Sequence, residues 1–182
     1  MTTQADFIRG WKGWIEAFVI NDIKKALDRD ALEVGLVILT LLGTECLSAY
    51  YAGKRDSDAS TFEKFVKKYF SPPYTQYADK IYRSLRHGLV HSYVPAKIKI
   101  GSTEVTPFVM VRNQGEPHLA PCQVGSQYPV FFNRAQFALD FIVAWEEYTK
   151  DVDATLQLQR NVMARAEKGF LIVDDIKNFI GL

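Results

Sequence analysis

Cysteine is scarce in this 182-residue sequence, and the shortage excludes whole classes of protein. Its two cysteines, Cys46 and Cys122, form neither a CxxC pair nor a Cys/His cluster, which excludes a disulfide framework and a thiolate zinc site. Free thiols in a reducing cytosol are therefore expected, with no metal and no cofactor. The N-terminus has no basic stretch followed by an apolar run, so no signal peptide is expected and the predicted location is cytoplasmic.

Excess charge and membrane-spanning hydrophobic runs are also missing. The formal net charge of +1 gives no global argument for a nucleic-acid partner. The most apolar run, residues 34–43, is shorter than the roughly 20 residues that span a bilayer, so it predicts a core helix and no membrane association. A hydrophobic share of 48% and an aromatic share of 13% are enough to fill the core of a single domain over residues 1–182.

Apolar residues at three- and four-residue steps predict a mainly α protein. Asp30 and Asn133 are suitable N-caps, and Ser60 to Glu63 reads as a capping box. The predicted helices are 4–28, 30–52, 60–70, 74–90, 133 to about 167 before Gly169, and a short one at 174–179. Short connections favour an antiparallel bundle of four to five helices, with Trp11, Trp14 and Trp145 in its core or at a dimer interface.

A β-like stretch interrupts the helical pattern after Pro95. Residues 97–100 alternate, residues 105–111 are rich in β-formers, and residues 128–132 form a further short candidate strand. Pro107 favours an edge position. These signals predict a small β-hairpin insertion at 96–132, whose turn at 112–117 should tolerate replacement by a linker.

The segment 82–95 concentrates groups able to hold phosphate or move protons. It carries two arginines and two of the three histidines of the chain: Arg83, Arg86, His87 and His91. On a regular helix Arg86 and His91 point about 140° apart. We therefore expect them to converge only if the backbone loosens near Gly88 or a second subunit supplies the partner.

The spacing Arg86-x4-His91-x-Tyr93 resembles the Arg-x4-6-His motif of HEPN domains, a superfamily of helical ribonucleases found in toxin–antitoxin and antiviral systems. The polar His87 directly after Arg86 fits that pattern, and Tyr93 matches the form seen in HEPN toxins paired with nucleotidyltransferase antitoxins. The resemblance covers about residues 4–95 and the later long helix, but not the β-like stretch.

This resemblance implies a homodimeric, metal-independent endoribonuclease, a toxin or an antiviral defence component, with RNA as its substrate. In that function Arg86 would stabilise the phosphoryl oxygens and His91 would transfer protons, since an imidazole titrates near neutrality. His87 and Arg83 would position the strand. Tyr93 would be the residue to which a nucleotidyltransferase antitoxin attaches adenylate groups.

Basic residues cluster between positions 64 and 99, where eight lysines and arginines face one acid. Lys67 and Lys68 belong to this cluster and are candidate substrate-binding residues, although a solvated charged face gives the same pattern.

Glu45 is an isolated carboxylate on a central apolar helix. It would either have an unrelated structural partner or contact the arginines of the motif segment.

The sequence leaves two alternative functions open. A non-catalytic HEPN-like module would bind nucleic acid or nucleotide without cleaving it, and a structural helical protein would use the arginine–histidine cluster as an ion-pair network. A zinc site at the pair His87 and His91 lacks a nearby third ligand, because His118 lies in the insertion.

Overall fold

Helices dominate the computed structural model, which describes residues 3–29, 33–100, 102–111 and 115–168. This confirms the mainly α prediction. The α-helices are α1 Gln4–Ile15, α2 Asn21–Asp28, α3 Glu33–Ala52, α4 Ala59–Tyr69, α5 Ala78–Lys80, α6 His87–Ser92, α7 Arg134–Ala154 and α8 Leu156–Lys168. The strands are β1 Ile98–Ile100, β2 Thr103–Val105, β3 Phe108–Val111 and β4 Val130–Asn133.

The first predicted helix, 4–28, is continuous in the structure but contains a π-helical turn, Glu16–Ile20, between α1 and α2. The Thr3 side chain caps it by accepting a hydrogen bond from the Asp6 backbone N–H, and the Asp6 carboxylate accepts one from the Thr3 backbone N–H. Its buried face carries Trp11, whose ring lies 5.5 Å from that of Trp145. Two of the three tryptophans are therefore core residues, as expected, whereas Trp14 is half-buried.

Helix α3 lies at the centre of the fold and packs against α2, α4, α7 and α8. Three hydroxyls on its buried side, from Thr40, Thr44 and Ser48, each donate to the carbonyl four residues earlier, so no polar atom of theirs is left unpaired. By length and composition Val34–Ala52 could also cross a membrane, but 56% of that window is buried inside the bundle, as in the core helix of a soluble protein. The predicted cap of α3, Asp30, lies outside the described residues.

Helix α4 begins earlier than the predicted capping box. Asp58, not Ser60, is the N-cap, and its carboxylate accepts a 2.7 Å hydrogen bond from the Thr61 backbone. The box prediction is wrong because an aspartate two residues upstream is well placed for the same backbone donors. A carboxylate is also favoured at the positive end of the helix dipole.

The predicted motif helix 74–90 is composite. A 3₁₀ turn, Pro72–Gln76, precedes α5, and a π-helical turn, Ile81–Arg86, connects α5 to α6. The helical path ends at Ser92, two residues later than predicted. We call the continuous helical residues 78–92 the motif helix.

The insertion contains a hairpin, as expected, but it also contributes to the core. Strands β1 and β2 pair antiparallel, with Ile98 opposite Val105. Strands β3 and β4 pair parallel, with Phe108 opposite Val130, and Thr106 and Pro107 separate β2 from β3 within the predicted strand 105–111. Phe108 and Phe132 are almost fully buried, so β3 and β4 are part of the hydrophobic core.

A chain of hydrogen bonds fixes the insertion to the helices. The Asn133 backbone donates to His118 Nδ1 at 2.9 Å, which places the ring proton on Nε2, and Nε2 donates to the Tyr74 hydroxyl at 2.7 Å. Tyr74 in turn donates to Asp140 at 2.8 Å. Burial lowers the pKa of His118 to about 4, so the imidazole is neutral at neutral pH.

The long C-terminal helix predicted from Asn133 to about residue 167 breaks at Thr155, which is extended. Asn133 does cap α7, accepting bonds from the Ala135 and Gln136 backbones. Beyond the break, α8 packs against α3, α1 and α7 and buries Leu158 and Val162. Gly169 and the short helix predicted at 174–179 lie outside the described residues.

Candidate functional site

The motif helix ends in a left-handed cap. Tyr93 has φ 59° and ψ 13°, and its backbone N–H donates to the Leu89 carbonyl at 3.1 Å. A non-glycine residue in this conformation carries strain of roughly 1 kcal/mol or more. The cap bends the chain at Tyr93 and Val94 and leaves Tyr93 69% exposed.

Gly88 is where the returning chain crosses the motif helix. A Cβ built on Gly88 would lie 2.2 Å from the Ala96 nitrogen and 2.4 Å from the Val94 oxygen. Ser84 holds the crossing on both sides, since its hydroxyl donates to the Ala96 carbonyl at 2.6 Å and its own carbonyl accepts the Ala96 N–H at 2.9 Å. The expectation that Gly88 loosens the helix is wrong: it permits close approach of backbone to backbone.

Glu45 fixes the guanidinium of Arg86 from the central helix. Arg86 Nη2 donates to Oε1 at 2.9 Å and Nε donates to Oε2 at 3.1 Å, which is a two-pronged ion pair. The arginine and glutamate side chains are 21% and 16% exposed. Of the two partners left open for Glu45, the structure thus forms the contact with a motif arginine, and the bond to Glu45 raises the pKa of Arg86 further.

Arg86 and His91 meet within one chain. Arg86 Nη1 lies 3.4 Å from His91 Nε2, although both residues lie on a helical path without a break between them. The expectation that convergence needs a loosened backbone or a second subunit is wrong, because the long arginine side chain spans the angular gap. After its bonds to Glu45 and His91, the guanidinium keeps one N–H on each terminal nitrogen for an incoming anion.

His87 and Arg83 lie on the exposed side of the same helix. The His87 and His91 rings are nearly parallel, with centroids 6.2 Å apart. Arg83 is within 3.4 Å of Asp79, an exposed pair one turn away. Two imidazoles therefore stand side by side at the helix end next to one fixed guanidinium.

Tyr82 also packs against the site, which the sequence did not predict. Its ring lies beneath the Arg86 guanidinium at 5.8 Å and meets the His87 ring edge-on at 5.3 Å. Burial raises its pKa, so the phenol stays neutral. The spacing of four residues between Tyr82 and Arg86 on one helix could have indicated this contact.

Lys67 and Lys68 are engaged elsewhere. Lys67 pairs with Glu63 at 2.8 Å, and Lys68 pairs with Asp151 at 2.7 Å while lying over the Tyr69 ring. Arg83 pairs with Asp79 and Arg86 with Glu45, so at least four basic residues of the 64–99 cluster have an acidic partner. Three of these acids, Glu45, Glu63 and Asp151, lie outside residues 64–99 in the sequence. The structure does not bring either lysine to the Arg86–His91 contact.

Metal ligands do not converge in the described part of the chain. No group of three histidine, cysteine or acidic side chains there could hold a metal ion. His118 is committed to Tyr74 and the Asn133 backbone, far along the chain from His87 and His91. Cys46 and Cys122 are both free thiols.

Comparison of the chain with protein-family models gives no match, and comparisons with curated proteins and with solved structures give none either.

Proposed function

We propose that this protein is a metal-independent endoribonuclease of the HEPN type, a helical bundle acting in the cytoplasm as a toxin or an antiviral defence component. The observation that carries the proposal is the contact of Arg86 with His91 at 3.4 Å, at an exposed helix end. An ionised guanidinium suits phosphoryl oxygens, and an exposed imidazole can exchange protons with substrate.

The reaction follows from these groups. The ribose 2′-hydroxyl attacks the adjacent phosphate and loses its proton to an imidazole, and the 5′-oxygen leaves after receiving a proton. The products are a 2′,3′-cyclic phosphate and a 5′-hydroxyl. Arg86 stabilises the charge that builds on the phosphoryl oxygens, and Glu45 holds the guanidinium in place for that task.

Two proton-transfer groups are needed, one base and one acid. His91 is the first. The second is either His87 of the same chain, whose ring is 6.2 Å from that of His91, or His91 of a second subunit. The exposed Tyr93 and Val94, 69% and 62% accessible beside this site, support the proposed homodimer.

A mixing experiment separates the two sources of the second group. His91→Ala and Arg86→Ala proteins, each inactive alone, should regain partial activity together only if one site draws on both chains. His87→Ala should abolish cleavage if the second group comes from the same chain.

The exposed Tyr93 hydroxyl also supports its role as an adenylate acceptor for a nucleotidyltransferase antitoxin. Incubation with a nucleotidyltransferase and labelled ATP should label the protein, and Tyr93→Phe should not be labelled. Label retained in Tyr93→Phe would remove this role from Tyr93.

The second candidate is a structural protein that uses Arg86 only for its ion pair. The two-pronged bond to Glu45 favours it, because an arginine largely withdrawn from solvent is usually paired. The experiment that decides is incubation of single-stranded RNA with the protein in EDTA. Cleavage by the wild type, lost in Arg86→Gln and His91→Gln variants with unchanged circular dichroism, supports the ribonuclease. Equal cleavage by all three proteins rejects the ribonuclease function.

A further inference from the structure

A cleft of about 420 Å³ opens beside the Arg86–Glu45 pair. Its wall brings together residues from α3, from the loop between α3 and α4, from the motif helix and from α8. Three guanidiniums line it, from Arg55, Arg86 and Arg165, and they come from three different parts of the chain. Among the described residues of this wall, two carry a carboxylate, Glu45 and Asp56.

Arg165 is the one of these three arginines with a buried donor that no described residue pairs. Its Nε is buried and has no hydrogen-bond acceptor among the described residues, and its guanidinium lies 5.5 Å from the centre of the Tyr50 ring. A buried N–H donor without an acceptor is costly, so such groups usually have a partner that completes them. Because the Arg165 guanidinium lines the cleft, an anion bound there would lie beside this incompletely paired side chain.

The carboxylates in the wall do not cancel this positive charge. Both carboxylate oxygens of Glu45 accept hydrogen bonds from Arg86. Asp56 lies 3.8 Å from Arg55, and both side chains are largely in solvent, where such a pair is weak. Cys46 adds no negative charge, because burial raises the pKa of its thiol to about 11.

We propose that this cleft binds the phosphate group of a nucleotide, with Arg165 and Arg55 as its principal ligands. The planar fork of a guanidinium matches phosphate geometry, and two such forks that line one cleft would hold one phosphate together. The volume lies within the range of roughly 300–1,000 Å³ found for small-molecule sites, so a nucleoside can accompany the phosphate.

Arg86 borders both this cleft and His91. In an RNA strand the phosphate bound here would therefore be a neighbour of the one that is cleaved. This placement rests on the proposed ribonuclease function, whereas phosphate binding in the cleft does not. A free mononucleotide has the same chemistry, and the experiment distinguishes it from a strand.

The primary test is calorimetric titration of the full chain with uridine 5′-monophosphate and with uridine. The nucleotide should bind and the nucleoside should not. Arg165→Gln and Arg55→Gln should each weaken nucleotide binding about tenfold or more, as expected for the loss of a charged hydrogen bond. Arg160→Gln is the matched control, because Arg160 is an exposed arginine on the same helix as Arg165.

Equal binding of uridine, no binding of the nucleotide, or equal weakening by Arg160→Gln would overturn the proposal. Arg165→Gln also removes a contact with Tyr50, which could disturb the fold. Arg55→Gln avoids this problem, because the Arg55 side chain is exposed to solvent. Nucleotide binding that is unchanged in Arg55→Gln and in a folded Arg165→Lys would also overturn it.

A fully 2′-O-methylated oligoribonucleotide, which has no free 2′-hydroxyl to attack, tests the source of the phosphate. A higher Kd for this strand in Arg165→Gln assigns the cleft to RNA, whereas a change confined to the mononucleotide overturns the placement beside the cleaved phosphate. If RNA is never cleaved but Arg165-dependent nucleotide binding persists, the ribonuclease proposal fails and the phosphate site stands. If cleavage keeps its KM in Arg165→Gln and no nucleotide binds, the site fails and the ribonuclease stands.

Discussion

Glu45 and Arg86 are 41 positions apart in the sequence and share two hydrogen bonds of 2.9 and 3.1 Å. The pair links the central helix α3 to the motif helix and sets the direction in which the guanidinium faces His91. A side chain with as many rotatable bonds as arginine needs such a partner to hold one orientation.

Replacing Glu45 with Gln should therefore reduce RNA cleavage by about tenfold and lower the free energy of unfolding by about 1–3 kcal/mol, since it removes a charged partner from a half-buried arginine. A double-mutant cycle with Arg86→Lys should give a coupling energy of about 0.5–3 kcal/mol in thermal or denaturant unfolding. Asp79→Asn is the control, because its pair with Arg83 is exposed and should matter by less than about 1 kcal/mol. Strictly additive effects of Glu45→Gln and Arg86→Lys would contradict the account.

Gly88→Ala should destabilise the protein by about 1–3 kcal/mol, the cost of overpacking, since its Cβ would meet the backbone of Val94 and Ala96 at 2.4 Å or less. Gly13 provides a matched control, because it is a helical glycine whose Cβ would meet no atom within 4 Å. Gly13→Ala should raise stability by about 0.5–1 kcal/mol through helix propensity. Chemical denaturation of both variants measures the difference, and an unchanged midpoint for Gly88→Ala would show that the chain does not cross there.

Acid should weaken the attachment of the insertion. The folded protein holds His118 neutral with a pKa of about 4, whereas the unfolded chain has an ordinary value near ~6.5. Between these two values the unfolded state binds more protons, so the free energy of unfolding should fall as the pH is lowered from about 6.5 to about 4. Denaturant unfolding across that range measures the slope. His118→Gln should flatten it, and an equal slope in that variant would assign the effect to other groups.

The parallel strands of the insertion should prove necessary for the fold. Phe132→Ala and Phe108→Ala should each lower the free energy of unfolding by about 3–5 kcal/mol, as for a large aromatic removed from a core. Tyr128, in the same insertion, is 75% exposed, so Tyr128→Ala should change stability by less than about 0.5 kcal/mol. Wild-type thermal stability in Phe132→Ala would show that the fold does not need this buried aromatic.

Periodicity predicted the helices well because burial of an apolar face decides where a helix forms. It could not predict the break at Thr155, because neither proline nor glycine marks a stop there in the local sequence. The bond from His118 to Tyr74 was equally hidden, because it joins positions 44 apart through a loop.

The candidate site was predictable in part. The Arg86-x4-His91 spacing and the carboxylate of Glu45 within an apolar helix both marked residues that the structure brings together. The angle of about 140° misled, because it describes Cα directions and ignores the reach of an arginine side chain. Arg165 gave no signal, since its neighbours in the cleft come from elsewhere in the chain.

The end groups of the cleaved RNA are the sharpest test of the metal-independent ribonuclease function. RNA incubated with the protein in EDTA should yield fragments that end in a 2′,3′-cyclic phosphate and begin with a 5′-hydroxyl. A matched oligonucleotide with a single 2′-deoxy residue on the 5′ side of the cleaved bond should resist cleavage at that bond alone, because its attacking hydroxyl is missing. Fragments with 5′-phosphates, cleavage that persists at the deoxy position, or cleavage that requires a divalent metal would contradict the account.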